Sequence, residues 1–256
     1  MDRVRGPRPA SGRGGPPALL SALLGLTGLV LAGCHSASTA APSASASPGL
    51  SVPGTHRTTT TYQVSAPVST VVVVGHAGNV TVTGGSGPAV SVTQQADYSR
   101  TPPTTTRTVS GNTLTVTYSC PTQVVCGVAY TLQVPRSVAV QVSTGAGTVR
   151  LAGLAGSVTA KADVGLISAT GLTCASASLT TNVGAISASF AAAPTTVQAS
   201  ANVGAITLHV PGTTSYKVTA NAHVGKATVS TTQSPSSAHA ITATTDVGAI
   251  VIAPSS

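Results

Sequence analysis

Aromatic side chains are nearly missing from this chain. They make up 2% of its 256 residues, with one Phe (Phe190), five Tyr and no Trp. A core of any size must then be built from Val, Ile, Ala and Leu, and thin layers suit such residues better than a deep globule. Charge is scarce as well, at 6%, so the exposed surface has to be Ser, Thr, Asn and Gln. Glu is absent, and the acids are Asp2, Asp97, Asp163 and Asp246. That leaves three carboxylates beyond the first residues, few for the paired acids of glycoside hydrolysis. No G-x-S-x-G elbow occurs, and no H-x-x-x-H pairing. The formal net charge is +8. Four Arg against one Asp in the first 33 positions account for three of those charges. The remaining +5 is scattered as single residues with no aromatic interleaving, which argues against nucleic acid as a partner. The composition excludes no fold class outright, but its Thr, Ser, Val and Gly favour strands and turns over helices.

The first 60 residues of the chain read as export and anchoring. Residues 1–15 are basic, residues 17–32 ("PALLSALLGLTGLVLA") are apolar, and "LAGC" closes the segment at Cys34. A positive region, an apolar run and small residues before a cut site describe a secretory signal. The Cys after Leu-Ala-Gly is similar to a bacterial lipobox, which implies cleavage before Cys34 and a diacylglycerol on its sulfur. Acyl chains such as palmitate add about 0.8 kcal/mol per buried CH₂, and two chains anchor stably. The run is short for a membrane-spanning helix, which needs about 20 apolar residues. Residues 34–60 are nearly all Ser, Ala, Thr, Pro and Gly and read as a tether. A coil of that length spans on the order of 28 Å. The expected organisation is a lipoprotein signal over 1–33, a tether over 34–60 and a β-repeat domain over 61–254. The expected location is the extracytoplasmic face of the cell membrane.

What the sequence does have is a repeat. "NVGAI" stands at 182–186 and again at 202–206, with "DVGLI" at 163–167, "HVGKA" at 223–227 and "DVGAI" at 246–250. The central glycines, Gly165, Gly184, Gly204, Gly225 and Gly248, follow one another at 19 to 23 residues, and Gly147 and Gly78 extend the series backward. Apolar residues alternate with polar ones on both sides, as in Val158-Ala160 before the first corner and Ile167-Ala169 after it. Period-two alternation marks strands with one buried face. Each repeat therefore reads as strand, glycine corner, strand, second turn. One such unit cannot cover its own apolar face, but a stack of them can. The expected fold is all-β, a parallel right-handed β-solenoid with rungs of about 20 residues, with successive Ile side chains stacked inside. An antiparallel β-sandwich is the alternative. Residues 61–136 are less regular. There "VSGNTLTVTY" (109–118) reads as a hairpin, and "TLTVTY" and "VAYTLQV" as a second strand pair.

Three sets of side chains carry what chemistry there is. Cys120 and Cys126 end two expected strands in an exported protein, where a structural disulfide is the natural reading. Cys174 has no evident partner and occupies a turn position that is Ala155 or Ser215 elsewhere, so it reads as a buried small residue. The column Asp163, Asn182, Asn202, His223, Asp246 is either a ligand-binding ladder or a set of Asx side chains that bond the corner backbone. Its uncharged middle fits calcium poorly. Neither a catalytic residue, nor a metal ligand set, nor a cofactor is assigned, and the protein is expected not to be an enzyme.

Several runs together resemble a known family: "GAGTVRLAGLAGSV" (145–158), the recurring "VGAI" corners, "VTVTGGSGPAVSVT" (80–93) and "YSCPTQVVCGVAYTLQVP" (118–135). They look like the putative-adhesin family of β-strand-repeat envelope proteins, over most of 62–253. The resemblance implies a right-handed β-solenoid and no established catalytic residue. The family's usual corner is "GAGDV"; here the first Gly is mostly Asp, Asn or His, and the later Asp is Ala or Leu. The expectation that follows is a lipid-anchored surface-binding module, held in the membrane through Cys34, whose partner is a cell-wall glycan or a surface protein. A structural or sensory envelope role is the alternative, and a carbohydrate-active β-helix enzyme the third.

Overall fold

The computed structural model describes residues 54–255. The expected signal segment 1–33, Cys34 and the expected tether up to residue 53 lie outside the described residues. Every regular element among those described is a strand: β1 (His56–Val64), β2 (Thr70–Ala77), β3 (Val80–Gly85), β4 (Val90–Tyr98), β5 (Thr104–Ser110), β6 (Thr113–Ser119), β7 (Cys126–Pro135), β8 (Ala139–Ala146), β9 (Val149–Ala152), β10 (Val158–Val164), β11 (Ile167–Leu172), β12 (Ser176–Val183), β13 (Ile186–Phe190), β14 (Thr196–Val203), β15 (Ile206–Val210), β16 (Lys217–Val224), β17 (Ala227–Val229), β18 (Ala240–Val247) and β19 (Ile250–Pro254). The first strand starts at His56, so the repeat domain begins five residues before the boundary at 61 and takes the end of the expected tether with it.

The strands form two large mixed sheets. One runs β1-β4-β7-β3-β9-β11-β13-β15-β19-β17, the other β16-β18-β14-β12-β10-β8-β2-β6-β5. From β8 onward every pairing is parallel, and each corner joins a strand of one sheet to a strand of the other. Antiparallel pairs are confined to the N-terminal third, at β1 with β4, β4 with β7 and β5 with β6. The expected hairpin is there, closed by Ser110 opposite Thr113. The second expected strand pair is not. β6 and β7 lie in different sheets, β6 against β2 and β5, β7 against β3 and β4. What joins them is the disulfide from Cys120 to Cys126, with Cα atoms 5.9 Å apart.

Buried columns run through both sheets. In one sheet Val73, Val142, Ala160, Leu179, Ala199 and Ala243 stack in register, and in the other Val80, Val149, Ile167, Ile186, Ile206 and Ile250. All are buried. The interior Ile stack expected from the repeat is thus present. The bulky residues Leu154, Leu172, Phe190 and Tyr216 are buried as well and sit toward the second turns; Cys174 is buried too, as an unpaired thiol.

One feature departs from the chain order. β18 and β19 insert between the rung of β14–β15 and the rung of β16–β17. The stack therefore ends on an internal segment, 217–229, and not on the last strands. Pro254, at the end of β19, pairs with Val210 inside the sheet.

Candidate functional site

The corners stack directly on one another. Gly147, Gly165, Gly184, Gly204, Gly248 and Gly225 have φ between 139° and 153°, a region that side-chain-bearing residues avoid. A Cβ on any of them would overlap the carbonyl of the corner glycine in the next rung, as with Gly184 on Gly165 and Gly204 on Gly184. The repeated glycine is therefore demanded twice, by backbone angle and by contact.

This tight stacking fixes what stands beside it. Two residues before each of these glycines except Gly147 lies the polar column, one residue before it a valine. In spatial order the polar column reads Asp163, Asn182, Asn202, Asp246, His223. Asn182 Nδ2 donates to Asp163 Oδ1 at 3.1 Å, and Asp163 Oδ1 lies 3.8 Å from Lys161 Nζ. His223 Nδ1 and Asp246 Oδ1 are 2.9 Å apart. Asn202, between the two pairs, has no side-chain partner among the described residues. These side chains bond each other across rungs and leave the corner backbone alone, so the Asx-turn role is not the one they play. The corner carbonyls are served instead by Thr181 to Gly165 O at 3.4 Å and Thr245 to Gly204 O at 3.0 Å. Both threonines are fully buried. Their signal in the sequence was a Thr at an inward position that other repeats fill with Ala162, Ala201 or Ala222.

The valine column is the part that sequence reasoning missed. Val164, Val183, Val203, Val247 and Val224 are 47–63% exposed, with Leu166 beside them at 50%. On sequence alone the Val of "VGAI" reads as part of the bend. Its recurrence at an outward position, with no core to fill, was the available signal. Five rungs at 4.7–4.9 Å make an amphipathic ridge on the order of 20 Å long, apolar along its crest and hydrogen-bonding along its flank.

Elsewhere the groups that could react are apart or spoken for. Asp97 is on β4 and pairs with Arg57 at 2.6 Å, which holds the guanidinium above its usual pKa. Asp163 and Asp246 are separated by Asn182 and Asn202, three rungs or ~14 Å apart. A shallow hollow of about 570 Å³ is lined by Gly171, Ser189, Phe190, Ala191, His209 and Ser255, on the side of the second turns and away from the ridge. No group of three His, Cys, Asp or Glu among the described residues could hold a metal. Burial pushes the phenols of Tyr62, Tyr130 and Tyr216 and the Cys174 thiol up from their ordinary values. The hydroxyls of Tyr62 and Tyr130 are buried without a hydrogen-bond partner.

Fold and ridge together define an all-β protein of two mixed sheets that presents a repeated corner to solvent. No protein-family model matches the sequence, and no curated protein does. Among solved structures it is similar to a putative cell adhesion protein from Clostridium sporogenes, at 14% identity over 78% of this chain and 100% of that one, with a TM-score of 0.42. It is also similar to a putative adhesin from Bacteroides fragilis, at 16% identity over 77% and 97%, with a TM-score of 0.46. A putative adhesin from Parabacteroides distasonis follows at 12% identity over 77% and 97%, with a TM-score of 0.27. Likenesses this loose set neither a family nor a role for the chain.

Proposed function

We propose that the protein is a lipid-anchored, extracytoplasmic binding module without catalysis, and that its corner ridge is the contact surface. The single observation behind this is the pair of in-register columns, five exposed valines beside Asp163, Asn182, Asn202, Asp246 and His223. A soluble surface gains nothing in stability by exposing the same valine in every rung, whereas a ligand gains a dry stripe with hydrogen-bonding groups alongside. The stripe holds no exposed aromatic ring, so a flat sugar face has nothing to stack on. An extended polypeptide, or the peptide portion of cell-wall material, suits it better. In the same reading the repeats wind as a right-handed parallel β-solenoid, and Cys34 carries the diacylglycerol that holds the module at the membrane. The parallel ladders from β8 onward and the glycine-on-glycine corners support the winding.

Two experiments test the reading. Residues 35–256 screened against isolated cell-wall material, glycan arrays and surface proteins are expected to give a saturable ligand. Val183→Ser with Val203→Ser should weaken it at least tenfold while the melting temperature holds. Binding that ignores the ridge would remove it as the contact surface, and no ligand at all would favour a structural or sensory role. Separately, Cys34→Ser should move the protein from the membrane to the soluble fraction; retention in the membrane would end the lipid-anchor assignment.

A further inference from the structure

The two ends of the stack are built differently. Where β16 and β17 close it, the inward positions are small and apolar. At the opposite edges stand β1 and β5, each antiparallel to its one neighbour. Strand alternation puts Thr60, Tyr62 and Gln94 on the same face as the buried Val64, Val90 and Val92. In the other sheet Thr105 and Arg107 lie opposite the buried Tyr118 and Val116 and share their face. Deeper in the stack such inward positions are filled in the main by Val, Leu, Ile and Ala. Here they are polar, and they tie the two edges together. Gln94 Nε2 donates to Thr105 Oγ1 at 3.2 Å, and the Arg107 guanidinium lies over the Tyr62 ring, 4.4 Å from its centroid. Between the edges is a cleft of about 370 Å³ lined by Thr60, Tyr62, Gln94, Thr105, Thr106 and Arg107.

A terminal rung of a repeat stack needs a polar cover, and that alone accounts for the threonines. It does not account for the phenols or the charge. The hydroxyls of Tyr62 and Tyr130 are buried without a hydrogen-bond partner. Tyr130 is 1% exposed and is the direct neighbour of Gln94 across β4 and β7. Burial and then the nearby Tyr62 hold its pKa up, so the two phenols lie within electrostatic reach of each other. A sealed cap would gain by replacing both with Phe, because an unpaired buried hydroxyl costs stability. Arg107 has no carboxylate partner among the described residues. Asp97, the acid of β4, projects from the opposite face of its strand and is engaged by Arg57. The cleft therefore holds one uncompensated cation among side chains that can all donate a hydrogen bond. A guanidinium already laid on an aromatic ring also loses little freedom when its N–H groups meet an oxyanion.

We propose that this cleft binds a small oxyanion, carboxylate or phosphate, carried on a polyol such as a sugar acid or a glycerol phosphate. Arg107 takes the charged oxygens, since its planar fork matches both anions. The hydroxyls of Thr60, Thr105 and Tyr62, with Tyr130 behind Gln94, meet the hydroxyls of the polyol. The Tyr62 ring is covered by Arg107, so a neutral sugar finds no open ring face to stack on and the charge must carry the affinity. The volume stands near the lower end of small-molecule sites, roughly 300 Å³, and suits one such unit. None of the lining residues belongs to the corner ridge, and the cleft depends neither on the ridge as a contact surface nor on the lipid anchor.

The test is titration calorimetry of the full chain in mild detergent with glucuronate and with glycerol 3-phosphate, glucose and glycerol serving as neutral controls. At least one anion is expected to bind saturably, one per chain, and the neutral polyols about tenfold more weakly or worse. Glucuronate alone would assign a carboxylate ligand, glycerol 3-phosphate alone a phosphate ligand, and both together the oxyanion itself. Arg107→Gln should weaken the bound anion at least about tenfold with an unchanged melting temperature. Arg107→Lys keeps the charge and loses the fork, and should fall in between. Tyr62→Phe keeps the ring under Arg107 and removes only a hydroxyl that has no partner within the protein. It should weaken binding about threefold or more, and serves should the Arg107 variants fail to fold. Arg150→Gln, at an exposed position of β9, should change nothing, which separates the cleft from general attraction to a basic chain. Two anions that do not bind, neutral polyols that bind as well as the anions, or binding indifferent to both Arg107→Gln and Tyr62→Phe would each overturn the proposal.

Discussion

At the scale of single residues, the corner glycines and the buried tyrosines make opposite predictions. Gly184→Ala asks a Cβ to occupy the place of the Gly165 carbonyl, at a φ of 144°. Unfavourable backbone and steric overlap add, and the loss in unfolding free energy should be at least about 3 kcal/mol by denaturant titration. A loss below 1 kcal/mol would mean that the corners are spaced more loosely than described. Tyr130→Phe should do the reverse at neutral pH. Its hydroxyl is buried and unpartnered, so removing it is expected to leave stability unchanged or raise it by about 1 kcal/mol. The alkaline side has a definite sign. Burial raises the Tyr130 pKa above that of the unfolded chain, so its contribution is complete below the unfolded value, about 10, and is lost as pH rises from there through the folded pKa. The wild type should therefore lose stability above about pH 10 more steeply than Tyr130→Phe. Tyr62 and Tyr216 shift in the same direction and keep part of that slope in the variant. Equal slopes would show that Tyr130 ionises as freely in the folded state as in the unfolded one.

At the scale of elements, what the sequence discloses depends on whether the element is repeated. Val158-Ala160 before a corner and Ile167-Ala169 after it recur with the same parity in every rung, and both strands and their buried faces could be read from them. The polar column was legible for the same reason, because Asp163, Asn182 and Asn202 occupy one register. The exposed valines were not, since a single Val before Gly fits a buried bend as well as a crest; only the outward parity separates the two. The N-terminal third was harder. β6 and β7 have equally good alternation, "TLTVTY" and "VAYTLQV", and alternation says which face is buried without saying which strand is the neighbour. They proved to belong to different sheets, tied at their ends by Cys120–Cys126. That bond closes a loop of six residues' separation, and the chain-entropy model assigns it roughly 2 kcal/mol. Cys120→Ser with Cys126→Ser should lower stability by about that much and loosen 119–127 to proteolysis, while the parallel rungs from β8 onward keep their exchange protection. A loss spread evenly over the whole stack would instead mean that the bridge holds the two sheets together and not just one loop.

At the scale of the whole molecule, the order of the rungs is the property the repeat hides. Every rung offers the next the same columns, so 217–229 and 240–254 could each have docked on β14–β15 with the same register. The side chains decide between them. Ile241, Ile250 and Ile252 fill the interior position between two rungs, whereas Val218, Ala220 and Ala227 put smaller groups at the end, where burial is incomplete and a large apolar side chain would gain less. The consequence is a reversal of the usual gradient of stability along a chain, in which termini fray first. Here the last strands are pinned on both sides, by β14–β15 and by β16–β17, and the internal rung has one neighbour. Native-state amide exchange should report it. Amides of 241–252 are expected to open with free energies near that of global unfolding, and those of 218–229 at least about 2 kcal/mol lower. Within β16 the outward-facing N–H groups of Val218, Ala220 and Ala222 should exchange fastest, and that of Lys217, bonded to His239, more slowly. If the terminal strands exchange first instead, the rungs stack in chain order and the end surface belongs to 240–254.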